Sequence, residues 1–87
     1  MKNVNQRNIP NSLRKYRKAA GLKQKEVARI LGLKSASMIS RWEKGVCLPK
    51  LRNGFRLALV YRTMVDALFM DLRNSLKEEI KRKKNEG

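Results

Sequence analysis

Glycines at positions 21, 32 and 45 close three successive stretches of helical periodicity, each of about ten residues or fewer. A glycine just past the last periodic residue is a common way to end a helix. Stops this closely spaced leave room only for short helices, so the expected fold is all-α, a compact bundle of about five helices around one core. The first stretch places Ile9, Leu13, Tyr16 and Ala20 at helical spacing, starts at Pro10 or Asn11 and covers about 11–20. The second, LKQKEVARILG, carries Val27, Ala28 and Leu31, with Glu26 in the first turn where the helix dipole favours an acid. Lys23 stands where a Ser or Thr cap would be expected, a defect worth about 1 kcal/mol. The third covers about 36–44, with Met38, Ile39 and Trp42 turned inward and Ser35 or Ser37 as its cap.

Past a loop holding Cys47 and Pro49, LRNGFRLALVY supplies a fourth helix through Leu51, Phe55, Ala58 and Leu59. Gly54 inside it costs about 1 kcal/mol against alanine, and Asn53-Gly54 is where this helix would break. Thr63 followed by Asp66 resembles a capping box with Asp in place of Glu. It opens a last helix carrying Val65, Leu68, Phe69, Leu72, Leu76 and Ile80, expected to run to about 83. Trp42 reads as core, Cys47 as a small loop or core residue, and Met38, Met64 and Met70 as gap-fillers.

Charge narrows the function. Lys and Arg total 22 against 7 Asp and Glu, a formal charge of +15 that repels itself in the folded state and calls for a polyanionic partner, nucleic acid first. Residues 1–62 hold 16 basic and two acidic side chains, whereas residues 63–87 hold six and five. That asymmetry suggests a nucleic-acid-facing portion followed by a segment with another task. There is no histidine, which removes imidazole metal sites, His-based triads and His general bases. The seven acids do not group at helical spacing into a carboxylate cage. Neither an enzyme nor a bound cofactor or metal is expected. The longest apolar run, Leu57 to Tyr61, falls far short of the ~20 residues a membrane helix needs. The start, MKNVNQRNIPNS, lacks the apolar region of a secretory signal, and the lone Cys47 cannot close an internal disulfide, so a cytoplasmic location is expected.

Two short helices joined by GLKSA fit a helix-turn-helix, in which the first helix crosses the DNA backbone and the second enters the major groove. On the second of these, Ile39 and Trp42 point to the core while Ser37, Ser40, Arg41 and Lys44 share another face at i, i+3, i+4 and i+7. One face anchors and the other is free to read.

GLKQKEVARILG followed by ISRWEKG and LP resembles the helix-turn-helix of the phage-repressor and Cro (Xre-like) transcription-factor family. The resemblance covers about residues 12–69. It rests on Arg17 four residues before Gly21, Gln24, Val27-Ala28, Gly32, the run from Ile39 to Gly45, Pro49 and the run from Val65 to Phe69. It implies a lambda-repressor-like DNA-binding domain over 11–69, preceded by an N-terminal arm, 1–10, and followed by an extension of the last helix with a basic tail, 70–87. Three departures stand out: the interval from Gly32 to Ile39 is one residue longer than in the commonest members, Lys23 replaces a small polar cap, and the last helix runs some two turns further.

Carried over by position, the resemblance implies that Gln24 holds a phosphate at the start of its helix. Arg41 falls at a base-reading position, where an arginine suits the acceptors of guanine or else clamps a phosphate. Ser37 and Ser40 are implied base contacts that tolerate several bases, and Lys34, Lys44 and Lys50 flank them toward phosphates. Arg17 and Glu43 are implied to form an ion pair bracing the first helix against the third.

Leu72, Leu76 and Ile80 extend an apolar stripe beyond what a domain of five short helices covers, and a second copy is the expected cover. Two-fold dimers set two reading helices on successive major grooves. The expected function is a sequence-specific, double-stranded-DNA-binding transcriptional regulator, a repressor by the family's common mode. Two rivals remain open. One is an antitoxin-type interaction protein whose last helix or tail engages a small protein partner, and the other is a nucleic-acid binder indifferent to sequence.

Overall fold

The computed structural model describes residues 8–86, and residues 1–7 of the expected N-terminal arm lie outside that range. Six helices follow one another: α1 (Leu13–Ala19), α2 (Gln24–Ile30), α3 (Ser37–Lys44), α4 (Leu51–Val60), α5 (Val65–Leu68) and α6 (Met70–Glu86). No strand occurs among the described residues, and none of the helices is long and apolar enough to cross a membrane. The core gathers Leu13 from α1, Val27 and Ala28 from α2, Ile39 and Trp42 from α3, Leu57 and Ala58 from α4, Leu68 from α5, and Leu31, Tyr61 and Phe69 at helix ends. Cys47 packs half-buried against this cluster. Fully burying a Leu, Ile, Val or Phe side chain contributes about 1.5–3 kcal/mol, so these positions carry most of the fold's cohesion.

The helix starts are held less by Ser and Thr caps than by improvised partners. At α2 the Lys23 ammonium has no lone pair to offer the helix. Glu26 reaches back instead, its Oε1 accepting the Lys23 N–H at 2.7 Å, which is half of a capping box. At α3, Ser35 Oγ accepts the Ser37 N–H at 3.2 Å, so Ser35 serves the helix from outside and Ser37 is its first residue.

Four expectations are corrected. The last helix is two helices, because Phe69 leaves the helical region at φ −129° and ψ 47°. The Leu68 carbonyl there accepts the Ser12 N–H at 2.8 Å, a tertiary bond at the junction where α5 gives way to α6. Thr63 does not open that segment: Met64 is the residue before α5, no side chain caps it, and Asp66 faces Arg73 at 3.2 Å in an exposed pair of little energetic weight. On α4 the inward face is Gly54, Leu57 and Ala58, leaving Leu51, Phe55 and Leu59 exposed, and the helix continues unbroken through Asn53-Gly54. Met38 is exposed on α3 rather than inward. Of the expected dimer residues, Leu72 packs half-buried against its own core, while Leu76 and Ile80 stay in water.

Arg62 ends α4 in the left-handed region at φ 57°, the one such non-glycine among the described residues. The Thr63 N–H closes the turn on the Ala58 carbonyl at 2.8 Å. A side chain in that conformation costs about 1–2 kcal/mol, and glycine returns part of it as extra freedom of the unfolded chain. Arg62→Gly is therefore expected to raise stability by about 0.5–1 kcal/mol in urea unfolding, and an unchanged or lower midpoint would contradict this turn geometry.

Candidate nucleic-acid interface

α3 is anchored from three sides before it offers anything to a ligand. Ile39 and Trp42 are 1% and 4% exposed and fix its inner face in the core. Glu43, at the edge of that face, receives a two-pronged pair from Arg17 of α1: Nε to Oε2 at 2.6 Å and Nη2 to Oε1 at 3.1 Å. The pair's side chains are 10% and 5% exposed, so it sits where charges interact strongly and where losing one partner is costly. Arg17 Nη1 also donates to the Leu22 carbonyl at 2.9 Å, tying the loop ahead of α2 into the same network. The hydrogen bond to Glu43 raises the pKa of the Arg17 guanidinium above its ordinary value despite the opposing effect of burial.

The C-terminal end of α3 is held by the segment that precedes α1. Ile9 N–H donates to the Gly45 carbonyl at 2.9 Å, and Asn11 Nδ2 donates to the Trp42 carbonyl at 3.0 Å. Asn11 Oδ1 meanwhile accepts the Leu13 N–H at 3.0 Å, so one amide caps the start of α1 and the end of α3. On the far side, Arg56 of α4 donates through Nη2 to the Leu31 carbonyl at 2.9 Å, fastening the end of α2 where the turn begins. Tyr61 backs this frame. Its hydroxyl is buried, and desolvation followed by the nearby Glu43 charge pushes its pKa up to about 12, with Arg17 opposing. It stays a neutral phenol at physiological pH.

What remains outward on α3 is one polar face: Ser37, Arg41 and Lys44 are exposed and Ser40 is half-buried beside them. Ser37 and Ser35 hydroxyls lie 3.1 Å apart at its leading edge. Lys34 is exposed in the turn, and with Lys25, Arg29 and Ser35 it borders a shallow notch against α2. Lys50 is exposed just before α4. On the other flank, Arg14, Gln24, Ser40 and Lys44 surround a second notch floored by Arg17 and Glu43.

Gln24 sits differently from a free phosphate ligand. Its Nε2 donates to Glu43 Oε1 at 2.9 Å, so the amide is already engaged in the bracing network, half-buried at the start of α2. The second amide hydrogen remains to face the notch. Three contributors escape a reading of the sequence. Asn11 is visible there only as a helix starter, Arg14 carries no motif, and Arg56 looks like one more surface base. Each gains its role from a segment distant in sequence. Arg14 alone had an available signal, since it lies one turn before Arg17 on the same side of α1.

The helix-turn-helix family model matches residues 13–66, from the start of α1 into α5. Searches of curated proteins and of solved structures return no match.

Proposed function

The chain belongs to the Xre-like (phage-repressor and Cro) helix-turn-helix family of double-stranded-DNA-binding transcriptional regulators, and on that premise we propose that it is a sequence-specific repressor acting as a homodimer on an operator. Residues 11–69 form the DNA-binding unit, 1–10 an arm and 70–87 an extension. α3 enters the major groove, with Ser37, Ser40 and Arg41 toward base edges. Gln24, Lys34, Lys44 and Lys50 take phosphates, joined by Arg14 at the rim of the notch. Occupying the operator is then enough to block transcription, and the DNA it acts on implies a cytoplasmic, nucleoid-associated protein. The observation that carries this reading is the division of α3. One face is fixed in the core and braced by Arg17 and Glu43, and the opposite face presents a short row of hydrogen-bonding and basic groups with no structural task of its own.

Selection from a randomised duplex library at near-physiological salt tests it. The expected product is an inverted repeat with half-sites about one helical turn, ~34 Å, apart. Arg41→Ala is expected to lose preference at one guanine by about 1–3 kcal/mol. If roughly six phosphates are neutralised, affinity falls against log salt with a slope near −5. An unenriched library with the same salt slope would replace this reading with binding by charge alone.

A further inference from the structure

The ends of α1 and α4 border a groove of about 630 Å³ to which none of the proposed DNA contacts contributes. Small-molecule sites are commonly clefts of ~300–1,000 Å³ with apolar walls and a few placed polar groups. Tyr16 and Leu22 on one side and Val60 on the other are half-buried, packed on the core while they line the groove. Ala19 and Ala20 make the room between them. The other exposed positions of α1 carry the long side chains of Arg14, Lys15 and Lys18. Arg62 completes the lining, and it is the residue held in the left-handed region at φ 57°. Backbone strain of this kind clusters at functional sites, so the side chain that glycine would do without is the one to examine for a ligand.

Charge sets the class of that ligand. Both walls come from stretches without an acid, 1–25 and 44–65, and Arg62 meets no carboxylate among the described residues, where the ion pairs are Arg17 with Glu43 and Arg73 with Asp66. An exposed guanidinium in such a field favours an anion, and its planar fork matches a carboxylate through two parallel hydrogen bonds. Tyr16 offers a ring for offset stacking, and the two alanine methyls let a flat body approach. We propose that this groove is an effector site for a small planar aromatic carboxylate, held by Arg62 at its charged end and by Tyr16, Leu22 and Val60 along its ring. The site reaches the reading helix through Leu22, whose carbonyl accepts Arg17 Nη1 at 2.9 Å while the same guanidinium grips Glu43 of α3. A ligand seated against Leu22 therefore biases the brace of α3, and by linkage DNA biases the ligand equally. The effector role rests on the DNA recognition proposed above, whereas the ligand site does not.

The test is an NMR titration of the full chain, without DNA, with 2-naphthoate at constant ionic strength. Saturable shifts are expected at the amides of Ala19, Ala20, Leu22 and Val60, with a Kd on the order of 0.1–1 mM for a ligand of this size. Arg62→Gly, which leaves the fold at least as stable, should weaken binding about tenfold. Ala19→Leu, at an exposed helical position, should block it with helical circular dichroism intact. Arg52→Gln, a base of α4 outside the groove, should leave it unchanged. Equal binding by Arg62→Gly, equal binding of cyclohexanecarboxylate, or shifts centred on Arg41 and Lys44 would each overturn the site. On the selected duplex, saturating naphthoate is expected to change affinity about threefold or more for the parent chain and not for Arg62→Gly. Duplex affinity that ignores a bound ligand would overturn the effector role. An unenriched duplex library would remove the DNA reading and leave the ligand titration standing, so the two failures are told apart.

Discussion

Replacing Glu43 by alanine is expected to cost about 3–5 kcal/mol of folding stability, the penalty of stranding a buried charge. Arg17 keeps a guanidinium that is 10% exposed, and without the carboxylate only the Leu22 carbonyl remains to it. Gln24 loses the acceptor of its amide in the same step. A domain of this length has a total stability of roughly 4–13 kcal/mol, at ~0.05–0.15 kcal/mol per residue, so the variant should be partly unfolded at 37 °C. Removing both charges, as Arg17→Met with Glu43→Leu, is expected to recover most of the loss, because an apolar pair of similar volume avoids the desolvation that the ion pair had to offset. The measurement is a double-mutant cycle in urea at pH 7. Additive losses, with no coupling between the two sites, would refute the bracing role. Pairing raises the pKa of Arg17 above its unfolded value, so its contribution is complete throughout the physiological range and is lost only in strong alkali. The coupling should therefore not change as Arg17 is carried across the neutral range.

The first three helices are the legible part of this fold, and the reason is local. Gly21, Gly32 and Gly45 each adopt positive φ at the end of a short helix, and stripes such as Leu13, Val27-Ala28 and Ile39-Trp42 have one apolar face to choose. The polar face of α3 was legible for the same reason, since once Ile39 and Trp42 are inward, Arg41 and Lys44 have nowhere else to go. α4 is different. LRNGFRLALVY is apolar on two sides, so periodicity admits a stripe through 51, 55 and 59 as readily as one through 54, 57, 58 and 61. The face that wins contains Gly54, which carries no apolar signal. The division of α5 from α6 was invisible too, because it coincides with a bond from Ser12 to Leu68 that spans most of the domain. Asn11 shows the same limit from the functional side: its amide joins two helix ends that only the tertiary fold brings together.

Gly45→Ala is expected to be the most damaging single-methyl change in the domain, about 2–5 kcal/mol, and the way it fails identifies what holds the reading helix. Two costs combine. At φ +79° a side chain adds about 1–2 kcal/mol of local strain. The added Cβ also runs into the backbone of Ile9, which is packed on Gly45 and bonded to its carbonyl, and making room costs a further ~1–3 kcal/mol. Gly21 separates the two terms, since it has nearly the same φ, +74°, with nothing within 4 Å of a built Cβ. Gly21→Ala should therefore show the strain alone, and the difference between the two variants in urea measures the seat of the segment before α1. Equal losses would mean that this segment does not clamp the end of α3. A larger loss at Gly45 has a functional consequence that can be read in the folded fraction. With Ile9 displaced, the Gly45 carbonyl loses its partner and Asn11 is drawn from the Trp42 carbonyl, so α3 keeps its inner face but loses the fixture of its far end. At a temperature where the variant remains folded, binding to the selected duplex should then weaken while the salt slope is unchanged, because the lost term is the orientation of α3 and not the number of phosphates neutralised.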